Sequence, residues 1–183
     1  MVKERSDTQL LQQAREGSGD AFKELVRRYE PRVAATVIGM LGRCPEADDV
    51  GQETFIRFYK AMHDFRGDSE LGTYLTRIAI NLSLNELKRR KRRFGMFPKS
   101  TEAVLDLADE TDNHGASETR HLVQHAIQQL EPDFKSVVVL RLVQGYSTKE
   151  TAGILNVPEG TVLSRLSRAQ KKLRTILGPV LGD

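Results

Sequence analysis

Ser147 to Leu173 reads STKETAGILNVPEGTVLSRLSRAQKKL, two short amphipathic stretches around a joint punctuated by Pro and Gly. Ser147 is placed to cap an orphan backbone amide, and Glu150, three residues on, reaches back to complete a capping box. Ala152, Ile154 and Leu155 supply apolar packing. Asn156-Val157-Pro158-Glu159-Gly160 breaks the pattern, because Asn tolerates left-handed backbone, Pro suits a helix start and Gly permits close helix approach. A second helix is expected from about Thr161. At ~100° per residue, Val162, Leu166, Ala169, Leu173 and Ile176 share an apolar face, with Leu163, Ser164, Ser167, Arg168 and Lys171 opposite. This is the pattern of a helix-turn-helix whose second helix meets DNA with its outer face. An amphipathic pair in an ordinary bundle has the same periodicity, since Lys and Arg commonly decorate solvated faces.

The 183 residues, 39% hydrophobic and without tryptophan, suit two small helical modules better than one large core. The formal charge of +3 is unevenly spread: residues 1–95 hold 18 Lys+Arg against 14 Asp+Glu, residues 96–117 hold 1 against 5, and residues 118–183 hold 9 against 6. No apolar run approaches the roughly 20 residues that span a bilayer, and MVKERSDTQ is too polar for a signal peptide. A cytoplasmic protein with no membrane insertion is expected. The single cysteine, Cys44, has no internal partner and precedes Pro45, so it is expected in a turn and incidental to function. His121 and His125 share a helix face, yet no cysteine or third acidic ligand accompanies them. No metal and no cofactor is expected.

Nearly everything outside the joints has helical periodicity, with no strand alternation and no internal repeat, so the fold class is all-α. A first helix is expected over Asp7 to Glu16. A second follows, capped by Asp20 and bent or divided at Pro31. A third runs from Pro45 to about Asp64, with Glu46, Asp48 and Asp49 favourably placed at its amino end and Val50, Phe55, Phe58, Tyr59 and Met62 as packing or contact surface. After the polar loop Phe65 to Glu70, Leu71 to about Arg93 forms a long helix. The turn-rich acidic stretch beyond Gly95 is a linker. Helices resume over Ser117 to Leu130 and from Glu131-Pro132-Asp133 to about Gln144, and Gly178-Pro179 closes the last one. The domains are therefore 1–95 and 118–183, joined by a flexible linker over 96–117.

Lys88 to Arg93 are six consecutive cations. They cannot all be buried, and their mutual repulsion favours a polyanion that releases counterions. A plain helix terminus, where cations complement the dipole, is the alternative. The same helix presents Tyr74, Arg77, Asn81 and Asn85, which can stack on bases or hydrogen-bond to bases and phosphates. The chain thus carries one nucleic-acid surface of single-strand character and one of duplex character.

The stretch Glu46 to Arg93, EADDVGQETFIRFYKAMHDFRGDSELGTYLTRIAINLSLNELKRRKRR, and the stretch Leu130 to Leu173, in this order, resemble the extracytoplasmic-function (group four) sigma factors of the sigma-70 family. The resemblance implies a promoter-specificity subunit of core RNA polymerase, with no chemistry of its own. It implies that Asp48, Asp49, Gln52, Glu53 and Phe55 clamp the β′ coiled coil, and that the domain over 118–183, sigma domain four, meets the β flap. A carboxylate cluster beside an amide suits a basic helical partner, although the same acids also cap the helix. It implies that Phe65, Arg66, Gly67, Asp68 and Ser69 accept a flipped base of the −10 element, while Tyr74, Arg77, Asn81, Asn85, Lys88, Arg89 and Arg92 hold the separating strands. For the −35 element it implies base or phosphate contacts from Ser164, Ser167 and Arg168, with Thr161, Arg165 and Lys171 anchoring the backbone. Control by an anti-sigma factor follows from the same resemblance.

Three residues depart from that pattern. Tyr74 stands where the family has tryptophan, Leu163 where it has Lys or Arg, and Gly51 where it has a larger residue. The alternative reading is an autonomous helix-turn-helix regulator, since the rear segment also resembles the DNA-binding domain of LuxR-type regulators. An enzyme is disfavoured by the lack of a metal-ligand set, a phosphate loop or a nucleophile with a nearby base.

Overall fold

The computed structural model describes residues 5–94 and 114–181. Its helices are α1 (Asp7–Arg15), α2 (Gly19–Leu41), α3 (Pro45–Ala61), α4 (Leu71–Phe94), α5 (His114–Gln128), α6 (Pro132–Val138), α7 (Thr148–Leu155) and α8 (Glu159–Leu181), with a π-helical turn, Val139–Val143, continuing α6. Among the described residues all regular structure is helical, as expected from the periodicity.

The helix ends follow from local chemistry. Ser6 and Gln9 form a capping box on α1. The cap of α2 is Ser18, not Asp20: the Ser18 hydroxyl accepts from the Ala21 amide. Ser is as good a cap as Asp, and its earlier position lets Ala21 be buried. Gly42, at φ 80, stops α2, a conformation that favours glycine. Pro31 does not divide α2. Its ring lies on the exposed side, while Leu25 before it and Val33 and Val37 after it enter one core, so packing outweighs one lost backbone bond. Pro179 likewise sits inside α8, which continues to Leu181; so near the end it deletes only a last-turn bond. Residues 114–117, read from composition as linker, are the first turn of α5, because a helix anchored by packing propagates through small polar residues. The rest of the linker lies outside the described residues.

The front domain, α1 to α4, is built around Phe58, 1% exposed. The Phe22 ring stacks 6.0 Å from it and the Tyr74 ring meets it edge-on at 6.2 Å. Leu25, Val33, Val37, Met40, Leu75 and Ile80 complete that core. In the rear domain Val137, Ala152 and Val162 pack together where α6, α7 and α8 cross. This small cluster sets the helix-turn-helix angle.

The two domains are docked face to face. At the end of helix α2, where the last carbonyls run short of intrahelical donors, α5 adds two: Gln124 Nε2 donates at 2.8 Å to Ile38 O, which also accepts the Gly42 amide, and Gln128 Nε2 donates to Gly39 O at 2.9 Å. Gly39 is required there, because a Cβ on it would lie 2.9 Å from a Val139 methyl carbon. On α4, Thr76 donates to Gly72 O and accepts from the Tyr146 hydroxyl at 2.9 Å, fully enclosed. Arg32 lies 5.9 Å over the Tyr146 ring.

Lys135 is buried behind this seam, 4% exposed, donating to Gln128 Oε1 at 2.9 Å and Gln128 O at 3.2 Å. Burial first, and the charge of Arg90 second, push its ammonium down to about 8. The unfolded chain therefore binds more protons between about pH 8 and the ordinary lysine value, and stability rises with pH across that window. Wild type should gain stability relative to Lys135→Met as pH goes from 7 to 10, measured by denaturant unfolding. A constant difference would show that the ammonium pays no desolvation penalty.

Candidate nucleic-acid interface

Helix α3 exposes a mixed face. Asp48 stands in its first turn, where the helix dipole favours an acid, and Asp49 and Gln52 are exposed beside it. Glu53 is tied to Arg57 one turn on, at 2.8 Å. At the same helical spacing follow two exposed apolar side chains, Ile56 at 46% and Tyr59 at 54%. Ile56 escaped the sequence reading; its signal is an isoleucine at i+3 and i+4 from Glu53 and Gln52, on the polar face. Phe55, in contrast, is half-buried and packs against the core. Gly51 leaves open space, with nothing within 4 Å of an added Cβ.

The Phe65 to Ser69 loop and α4 form one continuous surface. Phe65 tilts against Tyr74 with ring centroids 4.8 Å apart, and Gly67 takes φ 79, so the loop turns back over the start of α4. Arg66, Gly67 and Asp68 are exposed, and Arg66 Nε lies 3.5 Å from an Asp68 carboxylate oxygen. From Tyr74 the exposed stripe continues through Arg77, Asn81, Asn85, Lys88 and Arg92, at the steps of three and four that keep side chains on one face. Arg89 is exposed and pairs with Glu86 at 2.7 Å.

The basic run is not uniform. Arg90 turns inward, its guanidinium 3.2 Å from Glu46 and 3.0 Å from Cys44 Sγ, while also reaching Glu86. One of the six cations is thus structural, bracing α4 against the start of α3. Its spacing places it there: Arg90 is three residues beyond Leu87 and eleven beyond Ala79, on the buried face of α4.

The helix-turn-helix has the expected cap chemistry. Ser147 and Glu150 form both bonds of the capping box, and Asn156 is left-handed at φ 53. On α8, Val162 and Ala169 are fully buried, whereas Leu163, Ser164, Ser167, Arg168 and Lys171 are exposed. Thr161 is half-buried, and its carbonyl accepts from the Ser164 hydroxyl at 3.0 Å. Arg165 reaches Asp133, and Lys172 reaches Glu131. The Lys172 ammonium is the main cause that holds the Glu131 carboxyl below the usual carboxylate range. The amino end of α6, with Glu131 at its cap and Asp133 in its first turn, is therefore an acidic counterpart to α8.

Comparison with known proteins decides what this pair of surfaces is. The Sigma-70 region 2 family pattern matches residues 25–93, and that of Sigma-70, region 4 matches residues 120–173. The RNA polymerase sigma-H factor of Pseudomonas aeruginosa is 33% identical over 192 residues, covering 100% of both chains. The chain belongs to the extracytoplasmic-function sigma factors of the sigma-70 family. The ECF RNA polymerase sigma-E factor of Escherichia coli K12 is also 33% identical, over 196 residues and 99% of each chain. Among solved structures, the sigma factor RpoE from Bartonella quintana, crystallised with the anti-sigma factor NepR, superposes with a TM-score of 0.70 at 24% identity, over 86% of this chain and 96% of that one. CnrH, solved with the cytosolic domain of CnrY, gives 0.67 at 26% identity, over 93% and 96%. As a sigma factor the protein is a promoter-specific initiation factor, and its two domains correspond to regions 2 and 4. Among the described residues no helix is long and apolar enough to cross a membrane.

Proposed function

We propose that this sigma factor divides its work among three surfaces. The α3 face, Asp48, Asp49, Gln52 and Glu53 with Ile56 and Tyr59, engages the β′ coiled coil of core polymerase. Phe55 supports that face from within. The Phe65 to Ser69 loop takes an unpaired −10 base while Tyr74, Arg77, Asn81, Asn85, Lys88, Arg89 and Arg92 track the opened strand. The exposed side of α8 reads the −35 element, and domain four meets the β flap.

The observation that carries this reading is the continuous stripe that starts at the half-buried Phe65/Tyr74 ring pair and runs through exposed Arg77, Asn81, Asn85 and Lys88 to Arg92. Aromatic rings followed by amides and cations are what a single strand requires, bases stacking at one end and phosphates neutralised along the rest. An autonomous regulator has no need of it. Opening costs a few kcal/mol per unstacked step, and the stripe offsets that cost only once polymerase holds it on the promoter. Leu163, 55% exposed on α8, offers apolar surface suited to a thymine methyl.

Control by an anti-sigma factor is part of the proposal. It is supported by family membership and by CnrH, a relative in fold and sequence solved with the cytosolic domain of CnrY.

Arg168→Ala should lower occupancy of −35 DNA by about tenfold, the loss of one good base or phosphate contact, with unchanged affinity for core polymerase. Footprinting of the reconstituted holoenzyme checks it. An unchanged −35 preference would remove α8 as the reading helix.

A further inference from the structure

Helix α1 takes no part in any surface described above, yet it ends against the −10 loop. Arg15, in the last turn of α1, donates Nε–H to Met62 O at 2.8 Å, and a second guanidinium nitrogen donates to Phe65 O. Met62 is the C-cap of α3, so its carbonyl is one of the orphans at that helix end, and Phe65 is the first residue of the loop. The two carbonyls are three residues apart, and the planar fork of one side chain spans both. Gly17, at φ 97, and the Ser18 cap then carry the chain away into α2.

From this we infer that Arg15 is a positioning residue for the −10 loop: by pinning Met62 O and Phe65 O it fixes where the Phe65 ring meets Tyr74 and how the Arg66 to Ser69 turn is presented to an unpaired base. The inference rests on the −10 reading above. Beyond the packing of the Phe65 ring on Tyr74 and the core, the loop has little else to hold it. Arg66, Gly67 and Asp68 are exposed, its Arg66–Asp68 ion pair is 84% and 79% exposed and so worth little, and Gly67 has open space around it. A charged donor serving two carbonyls is the strongest tie available there. A flexible loop would pay its ordering entropy when the base arrives; a pinned one has already paid.

The test uses full-length protein with core polymerase on a promoter carrying 2-aminopurine in the −10 element, whose emission rises on unstacking. Two further templates are a pre-opened −10 bubble and the same bubble with the captured base changed. For Arg15→Ala we expect opening of the duplex promoter to fall about tenfold, the loss of a charged hydrogen-bond pair. Transcription from the bubble should stay within about twofold of wild type, with discrimination at the captured base largely lost, while polymerase affinity and −35 footprint are unchanged. Arg15→Lys, which keeps one donor, should recover part of the opening rate. A merely structural role predicts parallel losses on duplex and bubble together with weaker polymerase binding, and that result overturns the inference. So does wild-type opening and discrimination by Arg15→Ala. If wild type itself shows no discrimination at any −10 base, the −10 reading fails, and the inference with it.

Discussion

Replacing Asp49 and Ile56 together by alanine should weaken association with core polymerase by about 100-fold, with no change in the thermal unfolding midpoint. Both side chains lie on the exposed face of α3 and support nothing beneath it, so the folded domain loses no packing. At an interface the same two carry different loads. A carboxylate facing a basic helix sets orientation and on-rate, and its loss costs most where it is desolvated. An isoleucine half exposed in the free protein and covered in the complex has the profile of a central anchor. Glu53 is the weaker target, since Arg57 already holds it. Measured affinities for each single and the double variant would separate the two terms. Polymerase binding unchanged in the double variant would remove α3 from the clamp.

The docked arrangement of the domains yields the second large effect. Elements named −35 and −10 lie about 25 base pairs apart, ~85 Å along B-form DNA at about 3.4 Å per base pair. In the structure Tyr146 of the rear domain is hydrogen-bonded to Thr76 on α4, the helix proposed to open the promoter. One molecule cannot hold both contacts and both elements, so the domains must part. A fluorophore pair at exposed Arg43 and Lys149, in a Cys44→Ser background, should transfer energy efficiently in the free protein. Transfer should fall severalfold in an initiating complex with polymerase and promoter. A larger residue at Gly39 should lower it already in the free protein, because the close approach to Val139 leaves no room for a side chain. Transfer unchanged in an actively initiating complex would contradict separation.

The helices were legible in the sequence because their signals are local. The Ser147 and Glu150 capping box, left-handed Asn156 and the alternation of Val162 and Ala169 against Ser164 and Arg168 all arise within one or two turns. What could not be read depends on residues far apart in the chain. Pro31 reads as a bend or a break because the propensity of proline is local, whereas the core that keeps α2 undivided comes from other helices. Arg90 continues the buried face of α4 from Ala79 and Leu87, a signal masked by the run of cations, and the approach of α3 makes it a brace. Arg15 carried no signal at all, since its acceptors lie 47 and 50 residues away. The π-helical turn was equally hidden, because its residues Val139 to Val143 are as apolar as an ordinary helical turn. Of the candidate surfaces, Arg77, Asn81, Asn85, Lys88, Arg89 and Arg92 on α4 and Ser164, Ser167, Arg168 and Lys171 on α8 face solvent, while Tyr74, Thr161 and Arg165 are half-buried. Phe55 is placed partly in the core, and Ile56 replaces it on the exposed face.

Transcription from a genomic promoter library, reconstituted with core RNA polymerase and with or without this protein, tests the central claim most directly. The account predicts new start sites that depend on the protein, each preceded by one common −35 and −10 sequence pair, with wild-type protein alone binding the same duplexes only weakly. Tight sequence-specific binding by the protein alone, with no new starts when polymerase is added, would contradict it.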